Sequence, residues 1–215
     1  MNPTALLAQA LGVAYASGIS LYATVAVLGV ATRIGWIDPP MPLAGVASWW
    51  VIIAATVLYL LEFVATLVPG VASAWETVHS LVRPPAAAAL AAMTAWHADP
   101  AEVVIAALLG GGIAVTTHTT KLGMRYAIDT SPEPVTNGVA NTAELGVVAA
   151  VALFVWHHPY VTLALALLAL LLTIVMVRLI WRMLRRVFSG RWVPGRGFLQ
   201  GPRTSESVSD LDENA

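Results

Sequence analysis

The chain has 215 residues, 58% of them hydrophobic and 11% charged, with a mean hydropathy of +0.77; soluble domains carry roughly 25% charged residues, so the composition excludes that class and predicts a membrane protein. A net charge of -1 provides no clustered basic face for a phosphate backbone, and nucleic acid is not an expected partner. With no cysteine, the chain has no disulfide framework, thiolate nucleophile or cysteine zinc site.

A membrane-spanning helix needs roughly 20 mostly apolar residues. The first such run covers about residues 4–32; it follows "MNPT", which lacks the positive start of a secretory signal, and it is too long for a signal core. It reads as the first transmembrane helix. A second run covers about 43–68. Next comes "PGVASAWETVHSLVRPP" (69–85), where Ser73 with Glu76 forms a capping-box pattern and Pro84 supplies a stop, so a short interfacial helix is expected. "PPAAAALAAMTAWH" (84–97) would reach only about 20 Å as a helix. It is therefore either a short span or a re-entrant segment. Three further runs follow at about 100–121 with a polar extension to 128, 138–156 and 160–181. "SPEP" (131–134) reads as a rigid turn, Asn137 and Asn141 bring polar groups to the start of the fifth span, and "HHP" (157–159) caps an outer turn. From 189 onward the chain is polar and rich in Gly and Pro, and a disordered cytoplasmic tail over 189–215 is expected.

The expected fold is an all-α polytopic membrane helix bundle of about six transmembrane helices, one of them short or re-entrant, in a membrane domain over 1–188. Six spans put Arg83, Lys121, Arg125 and the cluster Arg182, Arg185, Arg186 and Arg191 on one side, with Arg33 facing the other. The positive-inside rule makes that side cytoplasmic and places both termini there. Trp36, Trp49, Trp50, Trp96 and Trp156 fall at the outer ends, and Trp75, Trp181 and Trp192 at or beyond the inner ends, as an aromatic belt requires.

Residues 18–40 align without a gap over 112–134, matching Gly18 with Gly112, Ile19 with Ile113, Leu28 with Leu122, Gly29 with Gly123, Ile34 with Ile128 and Pro40 with Pro134. The expected consequence is a three-plus-three inverted repeat, with units at about 4–97 and 100–186, an architecture associated with secondary transporters. Gly18, and the run Gly110, Gly111 and Gly112, are then candidates for helix breaks near mid-bilayer. Close packing of neighbouring helices is the alternative use of the same glycines.

Ionisable residues inside apolar spans are functional candidates by default. Glu62 and Glu144 lie within the second and fifth spans, at depths from which both reach the half occupied by His118. The turn "TTHTT" (116–120) is polar on every face of its helix, so part of it must face the bundle interior. Thr117, Lys121 and Arg125 share one side of that helix. His118, Glu144, Glu62, Lys121, Thr117 and Arg125 are therefore the candidates for a substrate or proton path. For Lys121 and Arg125, snorkelling to the interface is the simpler expectation, and a structural ion pair with Glu144 is the simpler one for that carboxylate. Glu76 and His79 have the Glu-x-x-His spacing of di-metal helix bundles. Such bundles need two copies and the chain has one, so no metal site is expected and no cofactor is implied. No phosphate loop, nucleophile elbow or zinc-protease motif occurs, and enzyme activity is not expected.

The segments "PGVASAWETVHSLVRPP", "THTTK" and "IDTSPEP", together with "GISLYA" and "LEFVATLVPG", make the chain resemble a bacterial membrane family known as domain of unknown function 4126. The likeness covers about residues 5–186 and implies a multi-span protein of the inner membrane without supplying an activity. In that family's pattern acids are common where this chain has Thr66 and Ala72, and asparagine where it has Ser20 and Asp129, so the resemblance implies that any site relying on acids at 66 and 72 is weakened here. The leading functional expectation is a transporter or permease for a small solute, ion or lipid-like molecule. A non-transporting membrane scaffold docking a partner is the alternative, and an intramembrane metal-dependent enzyme using Glu76, His79 and His118 the second. The lipid bilayer and an unidentified solute or ion are the expected partners, with self-association left open.

Overall fold

A computed structural model describes residues 2–68, 70–129 and 134–188, and every regular element among them is helical. The turn at 131–133 and the tail at 189–215 lie outside the described residues. The chain divides into two compact units, 1–177 and 178–215; in the second, the Arg185 guanidinium lies 5.3 Å from the Trp181 ring.

Helix α1 (Pro3–Ile19) starts on Asn2, whose side chain accepts from the Thr4 amide, with Pro3 in the first turn, where its missing N–H is not needed. From Ala8 to Ile19 every residue is buried, so α1 is surrounded by its neighbours rather than amphipathic. Small residues allow this, because they let adjacent backbones approach closely. The chain then breaks at Ser20, which is extended (φ -147°, ψ 108°). Ser20 caps both sides of the break: its N–H donates to Ala16 O at 3.0 Å and its hydroxyl accepts from the Ala23 amide at 3.4 Å. Helix α2 (Leu21–Arg33) follows. The break thus lies two residues beyond Gly18, which stays helical.

Helix α3 (Met41–Ala44) and a 3₁₀ turn (Gly45–Ala47) lead into α4 (Trp49–Ala65) across a 67° bend. Of α4 only Ile52, Ala55 and Glu62 are buried, while Trp50 is 83% exposed. A helix that hides a carboxylate and exposes its large apolar side chains inverts the pattern of a soluble protein.

Helix α5 (Val71–Thr94) corrects two expectations. It begins after Gly70, whose φ of +84° favours glycine, so Ser73 lies inside the helix and is not its cap. It also runs through Pro84 and Pro85 instead of stopping there. Proline in a helix interior costs about 3 kcal/mol or more, and packing offsets it: Ala87, Ala91 and Ala95 interlock with Ala10 and Ala14 of α1. They also meet Ala106 and Ala114 of α6 (Pro100–Asp129). Residues 84–94 are therefore the second half of a 24-residue helix.

Helix α6 passes through Gly110, Gly111 and Gly112 unbroken. A β-carbon on Gly18 would lie 2.9 Å from Thr117 Cβ and 3.0 Å from Ala114 Cα, and one on Gly110 2.6 Å from Ala91 Cβ, whereas Gly112 faces open space. At Gly18 and Gly110 glycine serves close packing, and none of the four glycines breaks its helix. Gly110→Val is accordingly expected to destabilise by about 1–3 kcal/mol through overpacking. Gly112→Ala should be neutral or stabilising by up to about 1 kcal/mol from helix propensity. Thermal unfolding of the purified variants in detergent separates the two.

Helices α7 (Pro134–His157) and α8 (Pro159–Phe188) complete the described chain. Among the described residues two helices are long and apolar enough to cross a membrane, Pro100–Tyr126 and Asn137–His157, and the bent pair Met41–Ala47 with Trp49–Ala65 makes a third if taken as one span. This is consistent with a membrane protein. The first expected span is divided at Ser20 into pieces of 17 and 13 residues, each below the length of a single crossing.

Candidate functional site

The buried face of α5 carries Ala72, Glu76, His79, Arg83 and Ala87, three or four residues apart and so in one helical stripe. Facing it, α6 buries Thr117, His118, Lys121 and Arg125. Glu62 comes from α4 and Glu144 from α7. The result is a continuous ionic network inside the bundle.

Lys121 is its centre. The ammonium lies 2.8 Å from Ile19 O, 3.2 Å from Glu62 Oε1 and 3.0 Å from Glu144 Oε2. Its 2.9 Å approach to Glu76 Oε1 is an ion pair outside hydrogen-bond alignment, and that oxygen accepts no hydrogen bond. Ile19 O is free to accept because α1 ends there; in an unbroken helix it would be taken by the amide four residues on. Arg83, 0% exposed, bridges the other two carboxylates: Nη2 donates to Glu62 Oε1 at 2.5 Å and Nη1 to Glu76 Oε2. Arg125 Nη2 donates to Asn141 Oδ1 and, at 3.0 Å, to Glu144 Oε1. Asn141 Nδ2 in turn reaches Thr66 Oγ1 at 2.8 Å. Glu62, Glu76 and Glu144 against Arg83, Lys121 and Arg125 make three negative and three positive groups, so the fully ionised network is neutral. That balance is what permits its burial, since an unpaired buried charge costs several kcal/mol.

His118 is fixed by its neighbours. Arg83 Nη1 lies 2.9 Å from His118 Nδ1, and a guanidinium only donates, so Nδ1 accepts. The ring proton then sits on Nε2, 2.8 Å from Ser80 Oγ and 3.1 Å from Glu76 O. The threonines around it are satisfied within their own helix: Thr116, Thr117, Thr119 and Thr120 donate to the carbonyls four residues earlier, at 2.9, 2.8, 2.7 and 2.7 Å. This back-bonding lets a polar turn sit among apolar surroundings.

A cavity of about 300 Å³ opens against the network, lined by Tyr15 and Ile19 of α1, Thr117, Lys121 and Arg125 of α6, Glu144 of α7 and Leu170 of α8. Glu144 is the acid on its wall, its side chain 24% exposed. Glu62 faces only a void of about 10 Å³, no larger than one water.

Glu62, His118, Lys121, Arg125, Thr117 and Glu144 are thus brought together. Lys121 and Arg125 are buried rather than snorkelling, because carboxylates meet them inside the bundle. The ion pairs of Glu144 with Lys121 and Arg125 are both formed. Glu76 joins the network, and His79 turns aside: Nδ1 meets Trp75 O at 2.8 Å and Nε2 the Tyr22 hydroxyl at 3.1 Å, with the ring stacked on Trp75. Both nitrogens are occupied, and among the described residues no three metal-ligating side chains are grouped to hold an ion. The sequence reading missed Arg83 as a site residue, counting it as a terminal charge. The Glu76, His79, Arg83 stripe is the signal that reveals it. It also missed Ser20, which donates to Glu62 Oε2 at 3.3 Å, and the coupling of Asn141 to Thr66.

No curated protein and no solved structure matches the chain. A family model described as a domain of unknown function (DUF4126) matches residues 7–179, more than half of the sequence and all of the network, and the chain belongs to that family.

Proposed function

We propose that this is an integral protein of the bacterial inner membrane that moves a small solute, ion or lipid-like molecule through the cavity beside Lys121. The observation that carries the reading is Glu144, which holds Lys121 and Arg125 while all three stand on the cavity wall, so that a charged ligand entering there meets the network directly. Discontinuous helices with exposed carbonyls are how transporters build ion and substrate sites, and the break at Ser20 supplies one. The proposal takes α1 with α2, α3 with α4, and α5, α6, α7 and α8 as six crossings, with both termini cytoplasmic and the halves related as an inverted repeat. Support comes from the unbroken course of α5 and from the contact of α1 with α6 at Gly18. A scaffold role would rest on the tail at 189–215, outside the described residues, or on the segment 69–85, most of which forms the first part of α5.

The test is uptake into proteoliposomes carrying internal pyranine, with an imposed pH gradient and a panel of carboxylates, phosphate and lysophospholipids outside. Glu144→Gln should lower the protein-dependent rate at least about tenfold, about 1.4 kcal/mol in barrier terms, without loss of folding. His118→Ala should lower it less, because that ring lies on the closed side with Arg83. Equal rates in wild type and Glu144→Gln would remove the cavity from the mechanism.

A further inference from the structure

The cavity beside Lys121 reaches Val147. A second cavity of about 510 Å³ begins there, also sharing Tyr15, and continues between α7 and α8 past Phe154, Val161 and Leu165 to Thr162 and His158. Each volume falls within the range of roughly 300–1,000 Å³ found for ligand pockets. Along α7 the distance from Glu144 to the helix end at His157 is about 20 Å at 1.5 Å per residue. The groove is charged at one end, apolar along its middle, and closes on Thr162 and His158.

The polar end is incompletely satisfied. Arg125 is 1% exposed and lines the cavity, yet its buried Nε and Nη1 have no acceptor among the described residues. Buried guanidinium nitrogens left without acceptors are costly, and each such N–H is a charge-assisted donor for a carboxylate or phosphate oxygen. An anionic head with no tail would fill the charged end and leave the apolar length unused.

We infer that the groove binds an anionic single-chain amphiphile, an oxygen of its phosphate or carboxylate head accepting from an unpartnered N–H of Arg125 beside Lys121 and its acyl chain between α7 and α8 against Phe154 and Leu165. The inference rests on the transport proposal for the role of the cavity and names its substrate class. Glu144 keeps its bonds to Lys121 and Arg125 Nη2, and the ligand takes the nitrogens that the protein leaves open.

The experiment is equilibrium binding to the full-length chain in a maltoside detergent, with three probes: oleoyl lysophosphatidic acid, oleoyl lysophosphatidylcholine and glycerol 3-phosphate. The anionic lysolipid should bind at least about tenfold more tightly than the zwitterionic one, and glycerol 3-phosphate should not bind over the same range. Arg125→Gln should reduce the preference to about twofold or less. Leu165→Trp, at a largely exposed groove position remote from the charges, should weaken both lysolipids about tenfold and serves where Arg125→Gln does not fold. Equal affinity for the two lysolipids, tight binding of glycerol 3-phosphate alone, or binding unaffected by Leu165→Trp would overturn the assignment. Head-group selective binding without uptake in proteoliposomes would retire transport and leave this site standing.

Discussion

Lys121→Met is expected to be among the most destabilising single substitutions in the chain, by about 3–5 kcal/mol or more. The ammonium separates carboxylates from three helices, Glu62, Glu76 and Glu144, and holds the end of α1 through Ile19 O. Removing it leaves like charges converging on an apolar methionine, with too few cations to balance them. Lys121→Arg should restore little, because a flat fork does not fit four oxygens arranged around one point. Thermal unfolding in detergent, followed by tryptophan fluorescence, gives the measurement. Adding Glu76→Gln to Lys121→Met should recover part of the loss, and a loss below about 1 kcal/mol, the range of exposed pairs, would show that the network is not load-sharing in this way.

Arg83→Met should cost about 3–5 kcal/mol by the same physics, with a different pattern of rescue. Arg83 serves Glu62 with one terminal nitrogen and Glu76 and His118 with the other, so its removal strands two acids and a ring acceptor together. Arg83→Lys cannot reproduce two divergent donors from one ammonium and should rescue poorly. Pairing Arg83→Met with Glu62→Gln should be less damaging than the sum of the two singles, since residues in one network are not additive. Additive losses in that cycle would mean that Arg83 and Glu62 act independently.

Much of this site was legible as a violation of apolar patterning. Glu62, Glu144, His118 and Lys121 stand out because each interrupts a run that hydropathy assigns to lipid, and the structure places all four within one network. Arg83 escaped notice for the opposite reason: the prolines after it imitate a helix end, which turns a core residue into an apparent loop charge. Only the alanine packing of α5 against α1 and α6, a tertiary effect, carries the helix onward. The glycines misled in a related way. Gly18 has the backbone freedom to break a helix, yet the break falls at Ser20, where a hydroxyl can cap one helix and reach Glu62, and Gly18 is spent on contact with α6. The orientation argument changes too. Arg83, Lys121 and Arg125 are neutralised inside the bundle, so the cytoplasmic placement of the termini in the proposal rests on the arginines from 182 onward.

One residue of extended chain, Ser20, separates α1 from α2, and the two pieces are tethered to different things. Lys121 grips the last carbonyl of α1, while Tyr22 on the first turn of α2 touches His79 of α5. Rotation about Ser20 would swing α2 as a lever with its fulcrum beside Glu62, leaving the lysine anchored and working against the packing of α2 on α4 and α7 as well as the tyrosine–histidine contact. The ionic centre can therefore stay assembled while the segment above it changes tilt.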